Sequence, residues 1–309
     1  MNYDEKFIIY DISSYQDDEI EHLGTKSKFW YFDKEKEQWL LFKSIQSKEY
    51  MRYGEDWAEK IACELAKLLR LPYADYELAV YKGHRGVIST KFISDNKGEQ
   101  FTLGNELLRP FVGGNGDDNP NLQYIDDVYE VMTKIIKHKP IGFKSDVNIK
   151  TASEFFLGYL MFDVLISNQD RHNENWGCIV TLKGKKHLAP SYDHGASLAR
   201  NESDETRKRR LESKDIGQKI ETYVKRAKSH FQDKESGHKI RLIDCFKLYA
   251  EKEPNAKIAW LNRLNQISDD DIYAIIQKIP DELMSEIAKT FTYQLILANK
   301  KSLCDLISW

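Results

Sequence analysis

Three residues in the middle of the chain, Asp170, Asn175 and Asp193, have the types and spacing that phosphoryl transfer needs. Asp170 opens the run Asp170-Arg171-His172-Asn173-Glu174-Asn175, and Asp193 ends Ala189-Pro190-Ser191-Tyr192-Asp193, just before His194-Gly195. A carboxylate at Asp170 can position or deprotonate an attacking hydroxyl. The Asn175 amide oxygen and the Asp193 carboxylate are hard oxygen donors for an ion that neutralises phosphates. Between them, Cys178-Ile179-Val180-Thr181-Leu182 and a Lys183-Gly184 turn read as a hairpin that returns Asp193 to the side of Asn175. The same residue types fill ordinary surface loops. This stretch differs in its context, with an apolar helix before it, a hairpin inside it and Asp-x-Gly at its close. These residues predict a nucleotide-dependent kinase.

The elements that would position this chemistry are legible on both sides. Residues 149–166 are apolar nearly all round, which predicts a buried central helix and a rigid support for Asp170. Trp176 and Tyr192 read as packing beneath the loop. Upstream, residues 28–32 and 39–43 are aromatic-rich runs around a polar turn, a hairpin pattern ending at Lys43. A lysine closing an apolar strand is either solvated or paired, because an unpaired buried charge costs free energy. Residues 56–69 set Trp57, Ala58, Ile61, Ala62, Leu65, Leu68 and Leu69 on one helical face, with Lys60, Glu64 and Lys67 opposite. Glu59 stands at the border, either solvated or turned toward Lys43. Gly24-Thr25-Lys26-Ser27-Lys28 offers backbone amides and a hydroxyl to phosphates, or is a plain turn. Residues 76–81 and 86–92 form a second hairpin around Lys82-Gly83-His84-Arg85. Residues 113–118 read as a loop, since no Lys-Ser/Thr follows the glycines.

Asp170-Arg171-His172-x-x-Asn175 followed by Ala189-Pro190-x-Tyr192-Asp193 resembles the C-terminal half of HipA-like kinases, a family that includes bacterial toxin kinases. The resemblance implies an α+β, two-lobed protein-kinase-like fold. Residues 1–93 would be a small β-rich N-lobe and residues 94–309 a larger α-helical C-lobe. It implies a Ser/Thr protein kinase using ATP and Mg2+, with Asp170 as base and His172 fixing the loop. Asn175 and Asp193 would hold the metal, and Lys43, supported by Glu59, would contact the nucleotide phosphates. Gly24 and Ser27 would belong to the loop over the phosphates, Ser27 being the candidate for a self-inactivating phosphorylation. By order along the chain, the backbone of Lys91, Phe92 and Ile93 would meet adenine. A protein substrate is expected, and the family brings with it an antitoxin or regulatory partner and a toxin or effector role. The family's long forms carry an extra N-terminal subdomain, and with Gly24 already in the loop this chain resembles the short members. Asp-Arg-His-x-x-Asn also occurs in phosphatidylinositol kinases. A phosphoinositide or small-molecule kinase, and a nucleotide-binding pseudokinase acting as an interaction module, are the alternatives.

Bulk properties narrow the setting. A net charge of −3 and a pI near 6.3 give no global basic field, so no direct DNA binding is expected. Cys63, Cys178, Cys245 and Cys304 are far apart and read as reduced thiols, which with no leader pattern predicts a cytoplasmic protein, signal-free export left open. The apolar run at 155–166 is too short and too interrupted for a membrane span. The charged stretch at 201–215, with Arg207-Lys208-Arg209-Arg210, lies where a kinase's activation or substrate segment does. A solvated loop or helix end is the reading there, an acidic or RNA-bound partner the alternative. Helices are predicted at 101–109, 124–138, 214–231, 239–251, 268–278 and 281–298.

Overall fold

The computed structural model describes residues 5–15, 21–22, 28–46, 53–112 and 122–307. Its N-terminal part is a six-stranded sheet of β1 (Ile9–Asp11), β2 (Glu21–His22), β3 (Lys28–Asp33), β4 (Gln38–Ser44), β5 (Tyr76–Tyr81) and β6 (His84–Thr90). The strand order is β1-β5-β6-β4-β3-β2, antiparallel except for β1 beside β5. Alternation along the strands divides the side chains between two destinations. Phe29, Tyr31, Leu40 and Phe42 join Ile12, Ala79 and Ile88 in a small core, while Trp30, Leu41 and Lys43 line a cavity on the opposite face. The β5–β6 turn is tighter than expected. Lys82 and Gly83 alone make it, both at positive φ (47° and 79°), and His84 and Arg85 are already strand.

Between β4 and β5 runs α1 (Glu55–Leu69), which ends with Arg70 in the left-handed region and the Leu71 N–H donating to the Ala66 carbonyl. Lys60 was expected on the solvated face, but it is 2 % exposed. Its ammonium lies 2.7 Å from both Glu64 and Glu77 and caps the Phe7 ring, so the N-terminal segment covers what periodicity assigned to water.

The C-terminal part is mostly helical. After β7 (Gln100–Leu103) come α2 (Gly104–Val112), α3 (Ile125–Glu130), a π-helical turn (Val131–Ile136) and α4 (Ala152–Leu165). A hairpin, β8 (Gly177–Val180) and β9 (Lys186–Leu188), accepts β7 as a third strand. There follow α5 (Asp204–Glu212), α6 (Ile220–Lys225), the β10 (Lys228–Gln232) and β11 (Lys239–Arg241) hairpin, then α7 (Leu242–Ala250), α8 (Pro254–Gln266), α9 (Asp269–Gln277) and α10 (Glu286–Cys304).

Several boundaries differ from the sequence reading. The helix expected at 101–109 begins as β7, because Gln100–Leu103 pairs with Val180–Gly177. The 124–138 helix changes to π-helical geometry and stops at Lys137, which has φ of 61°. The 214–231 helix is only α6, and its end is β10. Pairing with β11 also takes the start of the helix expected at 239–251. The last helix runs later than 281–298, and α8 was not anticipated. Within the basic run Arg207 is buried, bonded to Asp204 and to the carbonyls of Ala199 and Arg200. The loop at 113–118 lies outside the described residues. All four cysteines are unpaired, and no helix among the described residues is long and apolar enough to cross a membrane.

The core organises around α4, whose residues are all buried except Glu154. Thr151 and Glu154 form a capping box that starts it at Ala152, three residues after the predicted start. Gly158 receives the Trp260 indole, whose N–H donates to the Glu154 carbonyl at 2.8 Å. A Cβ at Gly158 would lie 2.5 Å from the Trp260 ring. Gly158→Ala is therefore expected to destabilise the protein by about 1–3 kcal/mol, although Ala is the better helix former by about 1 kcal/mol. Urea denaturation of the variant checks the sign.

Candidate active site

Lys43 reaches across from β4 into three carboxylates. Its Nζ lies 2.6 Å from Glu55, 3.3 Å from Glu59 and 2.5 Å from Asp193. Two of these acids come from the first turns of α1, one helical repeat apart on a single face. The third follows the β8–β9 hairpin, with Asp193 at φ 57°. Gly195 permits this convergence, since a Cβ there would fall 2.4 Å from Glu55 Cγ and 3.1 Å from Glu59 Oε1. Burial pulls the Lys43 ammonium down, but Asp193, Glu59 and Glu55 outweigh it and hold it well above the ordinary lysine range. Burial pushes the Glu59 carboxyl up to about 7 against the pull of Lys43. Its Oε1 faces Lys43 and its Oε2 accepts the His194 backbone N–H at 2.9 Å.

The loop carrying Asp170 is fixed by a second buried ion pair. Arg171, 1 % exposed, donates from Nε and Nη2 to both oxygens of Asp163 on α4, at 2.9 and 2.8 Å. Its Nη1 donates to the Asn175 carbonyl and its Nη2 also to Ser191 Oγ, each at 2.9 Å. One guanidinium thus joins the central helix, the Asp170–Asn175 loop and the segment leading to Asp193. Ser191 Oγ, already accepting from Arg171, also hydrogen-bonds His194 Nε2 at 2.7 Å. Burial, reinforced by Arg171, pulls His194 well below the ordinary imidazole range, so it stays neutral. Gln123 bridges the Arg171 carbonyl and the Trp176 indole N–H, which is buried as expected.

The sheet and the loop enclose a cavity of about 450 Å³, lined by Lys43, Lys91, Phe92, Ile93, His172, Asn175 and Asp193, with Trp30 and Leu41 from above. Asn175 Nδ2 donates to the Asp170 carbonyl at 2.7 Å, which leaves Oδ1 as its donor atom for a metal. His172 Nδ1 accepts the Glu174 N–H at 3.2 Å. Asp170 is not among the residues lining the cavity; its side chain is 43 % exposed. Tyr192 packs, as expected, and also faces the cavity. It lines the cavity, stacked on Phe92 at 5.7 Å and edge-on to Phe101, with its hydroxyl donating to the Glu174 carbonyl. Gly24 and Ser27 lie outside the described residues.

Glu55, Glu59 and Asp193 bring carboxylate oxygens within 4.8 Å of one another, and Asp193 shares the cavity wall with Asn175, hard oxygen donors of the kind that fit a divalent cation such as Mg2+. Sequence reasoning passed over Glu55, the Asp163–Arg171 pair and Gly195. Glu55 carried a signal, its i,i+4 spacing from Glu59, whereas the buried pair needed knowledge of which helix face the loop returns to.

Removing one partner of a buried pair strands the other charge. Asp163→Ala is expected to cost about 3–5 kcal/mol in urea denaturation, and adding Arg171→Met to restore a large part of that loss. Equal stability of the single and double variants would show that the pair contributes little.

The family model of the HipA-like C-terminal domain matches residues 20–243. The serine/threonine-protein kinase CtkA of Helicobacter pylori is 25 % identical over 257 residues, 81 % of this chain and 71 % of that protein. The crystal structure of that H. pylori proinflammatory kinase superposes with a TM-score of 0.74 at 19 % identity, covering 97 % of both chains. Shewanella oneidensis HipA, solved with HipB and operator DNA, gives 0.52 at 12 % identity, covering 96 % of this chain and 67 % of that one. The small sheet, the helical part and the cleft between them are thus a kinase fold of this type, and the chain belongs to the HipA-like C-terminal domain family.

Proposed function

We propose that the protein is an ATP- and Mg2+-dependent Ser/Thr protein kinase. The observation that carries this reading is the contact of Lys43 Nζ with Asp193 Oδ1 at 2.5 Å, in a cavity that also holds Asn175 and the 91–93 backbone. Glu55 and Glu59 fix the ammonium where a triphosphate would end, and the 91–93 backbone offers N–H and C=O groups to adenine. Phe92, Phe101 and Tyr192 give the base an apolar wall. Asp170, exposed and joined through its carbonyl to the cavity-lining Asn175, accepts the proton of an incoming Ser or Thr hydroxyl, and His172 holds the loop that presents it. Asn175 and Asp193 would hold Mg2+, which would supply charge neutralisation for the phosphates. A regulatory or antitoxin partner and a toxin or effector role belong to the same proposal, supported by the likeness to HipA, which was solved with HipB.

The test is incubation of wild type, Asp170→Ala and Asp193→Ala with radiolabelled ATP, magnesium and a cell lysate. A protein band labelled by wild type, and reduced about 100-fold or more by either variant, is expected. Full activity in either variant overturns the assignment. Label in the lipid fraction would mark a lipid kinase, and ATP binding without transfer a pseudokinase.

A further inference from the structure

Where the start of α1 meets the 200–204 segment and the start of α10, the fold leaves a second cavity of about 450 Å³. It shares no lining residue with the Lys43 cleft. Three helices begin on it. Gly54, Ser203 and Ser285, the residues that precede α1, α5 and α10, all stand in its wall. A helix start leaves backbone N–H groups unbonded within the helix and carries partial positive charge. Ser203 and Ser285 each satisfy one such N–H with their own side chain, and Gly54 has none to offer.

Three arginines, Arg85, Arg200 and Arg207, line the same cavity. Arg207 is 7 % exposed, and it donates from Nη1 to Asp204 at 2.7 Å and from Nη2 to the carbonyls of Ala199 and Arg200. Its Nε is buried and has no partner among the described residues. A buried donor left unbonded is costly, and in a native fold it points to a water or an ion that completes it. Arg85 spends Nε and Nη2 on Asp56, and Nη2 also on the Leu283 carbonyl, so its Nη1 has no partner among the described residues. Arg200 donates from Nη1 to the Tyr53 carbonyl at 3.3 Å, which fixes it beside the start of α1. Two acids also line the cavity, and both are engaged, Asp204 with Arg207 and Glu202 with Arg210 at 3.9 Å.

We propose that this cavity binds a phosphate group, free or borne on a phosphorylated side chain. A phosphate monoester carries about 1.5 to 2 negative charges at neutral pH and three strong acceptor oxygens. Guanidinium forks and helix starts both complement that charge and geometry. The inference goes beyond the kinase reading and does not rest on it, because its test involves no transfer of phosphate.

The experiment is calorimetric titration of the full chain at constant ionic strength, with chloride as the background anion and inorganic phosphate, capped phosphoserine and acetate as probes. Phosphate and capped phosphoserine are expected to bind, and acetate, with one charge, about 10-fold more weakly. Arg200→Gln is expected to weaken phosphate binding about 10-fold or more, since a charge-assisted bond is lost. Arg85→Lys, which keeps a cation beside Asp56 but not the fork, is expected to weaken it too. Asn201→Asp adds a negative charge to the wall without removing an arginine, and is expected to abolish binding. That variant decides the matter if Arg200→Gln does not fold. Tighter binding of capped phosphoserine than of inorganic phosphate assigns the site to a phosphorylated chain, and equal or weaker binding assigns it to free phosphate. Wild type that binds no phosphate above the chloride background overturns the inference. So does phosphate binding that all three variants retain, which would place the anion elsewhere, and so does acetate bound as tightly as phosphate.

Discussion

A single ammonium holds the two halves of the site together. Lys43 is buried, and a buried charge is tolerated only when its partners compensate the lost water. Its partners come from α1 and from the segment after β9, so the compensation exists only when sheet, helix and hairpin are all in place. The balance is asymmetric, with more acid than base, and burial, helped by the neighbouring Asp193 and Glu55, holds the Glu59 carboxyl above the ordinary range. A net negative cluster of this kind attracts cations.

The Asp163–Arg171 pair does for the loop what Lys43 does for the cleft. Buried pairs contribute little net stability compared with apolar packing, but they allow one arrangement only. Arg171 satisfies Asp163, the Asn175 carbonyl and Ser191 at once, so a shift of the loop would break several charge-assisted bonds together. The Asp170 backbone is thereby held while its carboxylate stays exposed.

The sequence was most readable where local rules and tertiary packing agree. The apolar all-round pattern of α4, the aromatic hairpin ending at Lys43 and the α1 periodicity all correspond to elements of the structure. Reading failed where long-range pairing overrides local preference, as at Gln100–Leu103 and Lys228–Gln232, which look helical but are claimed by β8 and β11. Lys60 misled for a related reason, since periodicity cannot tell that Phe7 and Glu77 will cover it. Within the site, acids and amides at recognisable spacing were legible. Groups defined by contact across the fold, such as Glu55 against Gly195 or Arg171 against Asp163, were not.

The path of the chain beyond β6 has a mechanical consequence. Residues 91–93 line the cavity, and the same segment runs on through a 3-10 turn (Asp95–Lys97) into β7, which pairs with β8, beginning two residues after Asn175. The Gly104 N–H on the Trp176 carbonyl and the Asn105 N–H on the Asn173 carbonyl extend that seam into the loop itself. The Phe92 side of the cavity and the Asn175 side are therefore joined by one continuous segment and its pairing with β8, so that a displacement of either side bears on the other.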